Sequence, residues 1–552
     1  MPVKLIQATA SAYSYPLLIK QLLLTPLAIA PEQIISYQDR YRYTYRQFSR
    51  RLGRLANGLG ALGVEAGQTV AVMDWDSHRY LECFFAVPMM GAVLQTVNIR
   101  LSPEQILYTL NHAGADVLLV NAEFLPILAA IAPRLETVRT FVLINDDGEV
   151  AAPPVEFATE YEAMLAAAGE EFDFPDFDEN AQATVFYTTG TTGLPKGVYF
   201  SHRQLVLHTL GVAAAMGGAA EQGRLHREDV YMPLTPMFHV HAWGFPYVAT
   251  MMGLRQVYPG RYQPDVLCRL ITEERVSFSH CVPTILHMVL SHPAARAVDF
   301  SGWKIIIGGS AMPESMAIAA QSRGIDLFGG YGMSETCPVL TLAHLRRSDL
   351  ELPISEQARL RCKTGLPLPL VDLRIVDAEM RDAAHDGQAT GEVVVRSPWL
   401  TQGYLAAPEA SEDLWAGGYL HTADIGNINP NGYLKVTDRI KDVIKVAGEW
   451  ASSLQIEDII ARHEAVSEVA VIGIPDDKWG ERPLALVVLK PDHVGQVSEH
   501  ALRNFAAHAI EAAGLSRYGV LLQVSFVKRL LKTSVGKMNK QGMRADRSGL
   551  YD

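Results

Sequence analysis

Apolar positions in the first third of the chain recur in two alternating rhythms. Phe48, Leu52, Leu55, Leu59 and Leu62 follow one another at steps of three and four, which puts them on one helix face, and Gly63 is a fitting stop. Residues 69–72 (TVAV) form a continuous apolar run that reads as a buried strand. A helix is predicted over 103–113 and a further short strand over 116–120. The alternation continues past residue 330 and predicts an α/β chain with layered, mostly parallel sheets.

The pattern changes after about residue 360. Short runs at 371–376 and 391–395, with the turn sequence NPNG at 429–432, predict a β-rich part. Farther on, strand-like runs at 469–474 and 484–490 and a helical stretch at 499–510 describe a small α+β unit. No long Pro-, Ser- or Gly-rich linker separates the two, so the charged pentapeptide DRIKD at 438–442 is the hinge candidate. The expected organisation is a large N-terminal domain over 1–438, a hinge over 439–442 and a small mobile C-terminal domain over 443–552.

Composition narrows the classes. Of 552 residues, 49% are hydrophobic and 20% charged, as in ordinary globular proteins. The net charge of −12 argues against a nucleic-acid or anionic-membrane binder. Five scattered cysteines (Cys83, Cys268, Cys281, Cys337, Cys362) show no CxxC or Cys/His zinc spacing, and they read as free thiols in a reducing cytoplasm. Lys20, Pro16 and Pro26 interrupt the apolar N-terminus, and no A-x-A cleavage pattern follows, which argues against a signal peptide. The charge-free runs 83–99 and 230–254 are broken by Pro and Gly and read as short elements, so no integral membrane segment is expected.

The strongest chemical signal is YTTGTTGLPKGV at 187–198. Gly190, Gly193 and Gly197 let the backbone turn sharply and bring N–H groups close to an anion. Thr188, Thr189, Thr191 and Thr192 add hydroxyl donors, and Lys196 adds a cation. The spacing is not that of a Walker A loop, since no Ser or Thr follows the lysine. A strand over 181–186 and a helix start at Ser201 predict a strand, loop and helix around it. Downstream, GGSAMP at 308–313 follows the apolar strand 304–307, the kind of strand end where α/β sheets leave room for a ligand. In GYGMSET at 330–336, Tyr331 offers a flat face and Glu335 a hard oxygen ligand suited to Mg²⁺.

The 187–198 string resembles the signature loop of the acyl-adenylate-forming superfamily, the AMP-dependent synthetases and ligases. The other superfamily motifs follow in order across roughly residues 30–545, and several are similar to the medium- and long-chain fatty-acyl-CoA synthetases. The resemblance implies roles residue by residue. PMFHVHAWG at 236–244 lines the acyl pocket and approaches the nucleotide, with His239 functional and Val240, His241, Trp243 and Gly244 on the pocket wall. Gly309, Ser310 and Ala311 border adenylate and acyl group, and Gly330, Tyr331, Gly332, Met333, Ser334, Glu335 and Thr336 hold the nucleotide, Tyr331 against adenine. Glu335 and Thr188 contact Mg²⁺. Asp424 takes the ribose hydroxyls; the family usually has Gly before it, where this chain has Ala423. Arg439 contacts ribose and phosphate, and Lys441 is the hinge position. Lys445, Gly448 and Trp450 belong to the segment that meets the adenylate and the CoA tunnel in the thioester-forming state, and Glu457 closes that motif. Lys537 is the catalytic lysine, although Leu531 and Val535 depart from the usual pattern around it.

The implied activity is ATP-dependent acyl-CoA synthesis on a carboxylic acid, with ATP and CoA as co-substrates. The segments expected to line the pocket (238–244, 280–286, 308–312 and 331–339) hold no Arg or Lys to pair a second carboxylate, so an apolar monocarboxylic acid is expected, a medium- or long-chain fatty acid from the resemblance. His241, His280 and Cys281 leave a short, hydroxylated or aromatic acid open. Loading a separate carrier protein and light-emitting oxidation remain alternative second steps, and a homodimer is left open. A non-catalytic binding protein is disfavoured by Lys196, Glu335, Asp424, Arg439 and Lys537 standing together.

Overall fold

The computed structural model describes residues 3–146, 152–188, 194–446, 449–512, 521–533 and 537–545. The helix expected from the 48–62 spacing spans Tyr45–Ala61. Thr44 caps it by accepting from the Gln47 N–H, while the Gln47 side chain accepts from the Thr44 N–H, and Gly63 follows at φ 86°. Phe48, Leu52, Leu55 and Leu59 are buried, each worth about 1.5–3 kcal/mol.

Among the described residues the strands form four sheets. In the first, of seven strands, Thr69–Met73 lies between Ala115–Asn121 and Val93–Thr96, all parallel. All five residues of Thr69–Met73 are buried, as expected of a parallel strand covered on both faces. In the second, of nine strands, Lys304–Ile307 runs parallel between Phe278–Cys281 and Asp326–Gly332. The β-rich part is a four-stranded antiparallel sheet, Asp372–Val376, Gly391–Arg396, Leu420–Ile428 and Leu434–Arg439. Its last two strands are joined by the NPNG turn, where Gly432 at φ 84° donates to the Asn429 carbonyl. One hydrophobic core links these three sheets.

The fourth sheet has five strands, belongs to the C-terminal part and carries helices Ser453–Ala461 and Glu499–Ala512. It has cores of its own, around Ile456, Ile460, Val487 and Leu502 and around Ile472, Leu486 and Met543.

One element was not foreseen, although the helix starts at Ser201 as expected. The 187–198 loop is followed first by a strand. It joins Gln182–Tyr187 to an antiparallel strand, Gly197–Ser201, and helix His202–Gly217 begins only after that strand. The cause is a period-two pattern: Val198 and Phe200 are buried and Tyr199 between them is half-buried. Ser201 caps the helix at its expected start. The charge-free run 83–99 resolves into the end of helix His78–Met89 and strand Val93–Thr96. Among the described residues no helix is long and apolar enough to cross a membrane.

Candidate active site

The ends of two parallel strands build the floor. Lys304–Ile307 runs into Gly308 and Gly309, and Asp326–Gly332 carries Gly330 and Tyr331 in its last turns of extended chain. The backbones pass so closely that a Cβ on Gly308 would lie 2.8 Å from the Gly330 carbonyl oxygen.

The facing wall is a left-handed turn. Val240, His241, Ala242 and Trp243 all have positive φ (48°, 53°, 48°, 58°), and Gly244 follows at 75°. L-residues pay about 1–2 kcal/mol each in this region, so the turn has to be held from outside. The Met237 N–H donates to Asp76 at 2.8 Å, and the Thr96 hydroxyl donates to the Phe238 carbonyl at 2.9 Å. Burial pushes the Asp76 carboxyl up to about 7. The turn delivers Val240 and Trp243 to one cavity wall, and Trp243 packs over Gly308 and beside the His280 ring.

Between floor and wall lies a cavity of about 400 Å³, lined by His239, Val240, Trp243, Gly309, Tyr331 to Ser334, Pro338, Val339 and Lys537. A second cavity of about 350 Å³ shares His239, Trp243 and Lys537 and adds Arg100, Tyr262, Val282 and Ile285. Lys537 thus stands where the two meet, its Cε 3.2 Å from where a Gly309 Cβ would be. Burial, then the Arg439 charge, lowers the Lys537 ammonium to about 8, against the opposing pull of Asp424 and Glu335. Burial, then Lys537 and Arg100, lowers His239 to about 3, so its imidazole is neutral at pH 7.

Beside the cavity, Tyr331 donates its hydroxyl to Asp424 Oδ2 at 2.8 Å and Arg439 Nε donates to Oδ1 at 3.1 Å. Asp424 is only 4% exposed. Ala423 before it has φ 56°, which accounts for a glycine being usual at this position. Ala423→Gly is expected to raise stability by about 0.5–1 kcal/mol, read as a higher denaturant midpoint at unchanged m. A midpoint at or below that of the parent would contradict a strained Ala423.

Glu335, 6% exposed, accepts the Tyr404 hydroxyl at 2.7 Å through Oε1. The Lys196 ammonium lies 4.6 Å from the centre of the same Tyr404 ring. Thr188 and Lys196 close the base of the signature loop, Thr188 N–H donating to the Lys196 carbonyl and Lys196 N–H to Thr188 Oγ1. Tyr404 therefore connects the loop to Glu335. Sequence reasoning did not find it, nor Arg100 and Tyr262, because nothing local sets these side chains apart; only the tertiary fold brings them in. Among the described residues no group of three or more His, Cys, Asp or Glu could cage a metal. A lone carboxylate with a nearby hydroxyl suits Mg²⁺, which keeps waters and binds chiefly through nucleotide phosphates.

Other expected residues are placed as follows. His241 points away from the cavity into a cage of Phe84, Phe186, Phe200 and Tyr247; burial lowers it to about 3, and neither ring nitrogen has a hydrogen-bond partner among the described residues. Gly244 packs against His208. Ser310 and Ala311 are exposed at the rim, and Thr336 is buried with its hydroxyl on Met333. Lys441 is exposed in the turn after Arg439. Lys445 sits on the C-terminal sheet, its N–H donating to Glu481. Thr189, Gly190, Thr191, Thr192, Gly193 and Gly448 lie outside the described residues, as does the Trp450 side chain.

Layered α/β sheets, a β-rich part and a small C-terminal unit that sends one lysine to the junction of two cavities define an acyl-adenylate-forming protein. The profile of the family described as AMP-binding enzyme matches residues 27–405, and that of the AMP-binding enzyme C-terminal domain matches 455–537; the chain belongs to this family. It is similar to a long-chain-fatty-acid–CoA ligase of Thermus thermophilus, 40% identical over 93% of this chain and 91% of that one. A 3-methylmercaptopropionyl-CoA ligase of Ruegeria lacuscaerulensis is 36% identical over 91% of each chain. Among solved structures, a Mycobacterium tuberculosis fatty acyl CoA synthetase is 28% identical at TM-score 0.71, covering 97% of this chain and 99% of that one. An anthranilate CoA ligase with bound anthranoyl-AMP shares the fold at TM-score 0.83 and 23% identity, over 96% and 98% of the two chains.

Proposed function

We propose that the protein activates a medium- or long-chain fatty acid as its acyl-adenylate and passes the acyl group to CoA. It is an AMP-forming acid–thiol ligase. The observation that carries the acid class is the apolar wall of the main cavity, with Lys537 at its mouth and Asp424 and Arg439 beside it.

A carboxylic acid is ionised at pH 7 and needs no general base, but the triphosphate repels it. Catalysis then depends on positioning and on cations aimed at the charge that develops around the α-phosphorus. A carboxylate oxygen attacks the α-phosphorus, the bond to the β-phosphate breaks, and pyrophosphate leaves. Lys537 supplies the ammonium, Asp424 fixes the ribose, Tyr331 faces the adenine, and neutral His239 offers one N–H donor at the acyl end. Glu335 and Thr188 would hold Mg²⁺, which neutralises phosphate charge when bound. In the second step the CoA sulfur attacks the acyl carbonyl carbon, the bond to AMP breaks, and the thiol proton passes to solvent. The second cavity reaches the same His239, Trp243 and Lys537 and is the approach for the thiol once Lys537 withdraws. A turn at Lys441 would bring Lys445, Gly448 and Trp450 into play for that step, with 1–438 and 443–552 as the two domains. Free thiols fit a cytoplasmic setting.

A second reading, a short or aromatic acid, is favoured by Trp243 packed over Gly308, which shortens the cavity. Pyrophosphate release with MgATP over straight-chain acids from acetate to palmitate, plus benzoate, with and without CoA, separates the two. A CoA-dependent maximum among the medium and long chains is expected. A maximum at acetate or benzoate would move the assignment to the second reading, and turnover indifferent to CoA would move it to carrier loading.

A further inference from the structure

A polar clasp crosses the hinge, and the reaction just described does not use it. Strand Leu434–Arg439 ends on one side, and helix Ser453–Ala461 starts on the other. Asp438, 2% exposed, accepts the Ser453 N–H at 2.6 Å through Oδ2 and the Ser453 hydroxyl at 3.0 Å through Oδ1. One residue earlier on each side, the Ser452 hydroxyl donates to the Thr437 carbonyl at 2.6 Å.

Behind Ser453 stands Lys540, 7% exposed, whose ammonium donates to Ser453 Oγ at 2.7 Å and pairs with Glu457 Oε1 at 2.7 Å. A buried lysine needs a counter-charge, and Glu457 within the same unit supplies one. The Ser453 hydroxyl extends the network to a carboxylate across the hinge, which neutralising Lys540 alone does not require.

Lys540 follows Lys537 by three residues. A short ladder stiffens the intervening loop: the Thr533 N–H donates to the Lys537 carbonyl at 2.7 Å, the Lys537 N–H to Thr533 Oγ1 at 3.2 Å, and the Asn539 N–H to the Leu531 carbonyl at 2.9 Å. Anchoring Lys540 therefore fixes where Lys537 can reach. A rotation about Lys441 large enough to take Lys445 to the cavity carries Ser452 and Ser453 off Thr437 and Asp438.

We propose that Asp438, Ser453 and Lys540 form a positioning clasp that selects the orientation with Lys537 in the cavity and has to open before the thioester step. The inference rests on the two-orientation reading above. By population shift, loosening the clasp disfavours only the orientation that contains it.

The test uses the full chain and separates the half-reactions: pyrophosphate formed from MgATP and acid without CoA, and thioester formed from supplied acyl-AMP and CoA. Asp438→Ala is expected to slow the first about tenfold or more, the size of one lost charged hydrogen bond, and to leave the second unchanged or faster. Asp438→Asn keeps an acceptor and should restore part of the first step. Ser453→Ala retains the backbone donor and should shift the ratio in the same direction but less; it decides the matter if Asp438→Ala fails to fold by thermal melting. Equal loss of both steps, or no loss in either from folded variants, overturns the clasp while the wild type still performs both. A wild type that makes no thioester from acyl-AMP overturns the functional reading, and the clasp with it.

Discussion

Lys537→Ala is expected to lower acyl-adenylate formation roughly 10²–10³-fold, the range seen when one preorganised donor to developing charge is removed. On the proposed two-orientation scheme, thioester formation from supplied acyl-AMP should change little, because Lys537 leaves the cavity before the thiol enters. The measurement is single-turnover pyrophosphate release against thioester yield from synthetic acyl-AMP. A loss confined to the second half-reaction would contradict the role given to the lysine.

The same residue sets a pH dependence. The Lys537 ammonium in the free protein is lowered to about 8, chiefly by burial and then by Arg439. Only the charged form can attract phosphate. Adenylation measured as kcat/KM should therefore be level below pH 8 and fall as pH rises through it. A bound triphosphate adds negative charge and favours the ammonium, so the fall in kcat should come at higher pH than the fall in kcat/KM. The two profiles should part in that order; coincident profiles would mean that another group controls the limb.

The second large effect is expected at Asp424. This carboxylate is tied through both oxygens, to Tyr331 and to Arg439, and is almost wholly buried. Asp424→Ala removes the acceptor proposed for the ribose hydroxyls and takes the carboxylate away from the Arg439 guanidinium. Charged hydrogen bonds contribute about 1.5–3 kcal/mol each, so KM for ATP should rise on the order of 10–100-fold, with kcat falling as well. Tyr331→Phe removes only one tether and should raise KM by less than about tenfold. An ATP titration of both variants decides between a nucleotide contact and a purely architectural carboxylate, since the latter would lower the melting point and leave KM unchanged in the folded fraction.

Much of the fold was legible because its signals are local. The 48–62 stripe, the Gly63 stop, the run at 69–72 and the 429–432 turn each depend on neighbours a few residues away. Strand Gly197–Ser201 was hidden because three alternating residues beside a glycine-rich loop and a capped helix are too few to set a period. At the site, Gly308 and Gly332 could be read because close backbone approach leaves no room for a side chain. Tyr404 could not, since its value lies in touching both Glu335 and Lys196, which are far from it in sequence. His241 was misleading for the complementary reason: it lies within a pocket-lining segment, and the reversed hand of that turn aims it into the aromatic cage.

That turn also bears on how the acid preference could drift over generations. Val240 and Trp243 already place a β-branched and a bulky side chain at positive φ, so a more branched or larger replacement there adds to a strain the turn carries, while a smaller one relieves it. Ile306 and Val339, on ordinary extended strands across the cavity, carry no such restriction. Side chains that narrow the cavity should therefore arise first from the sheet side, with the turn serving as the fixed gauge against which that wall is resized.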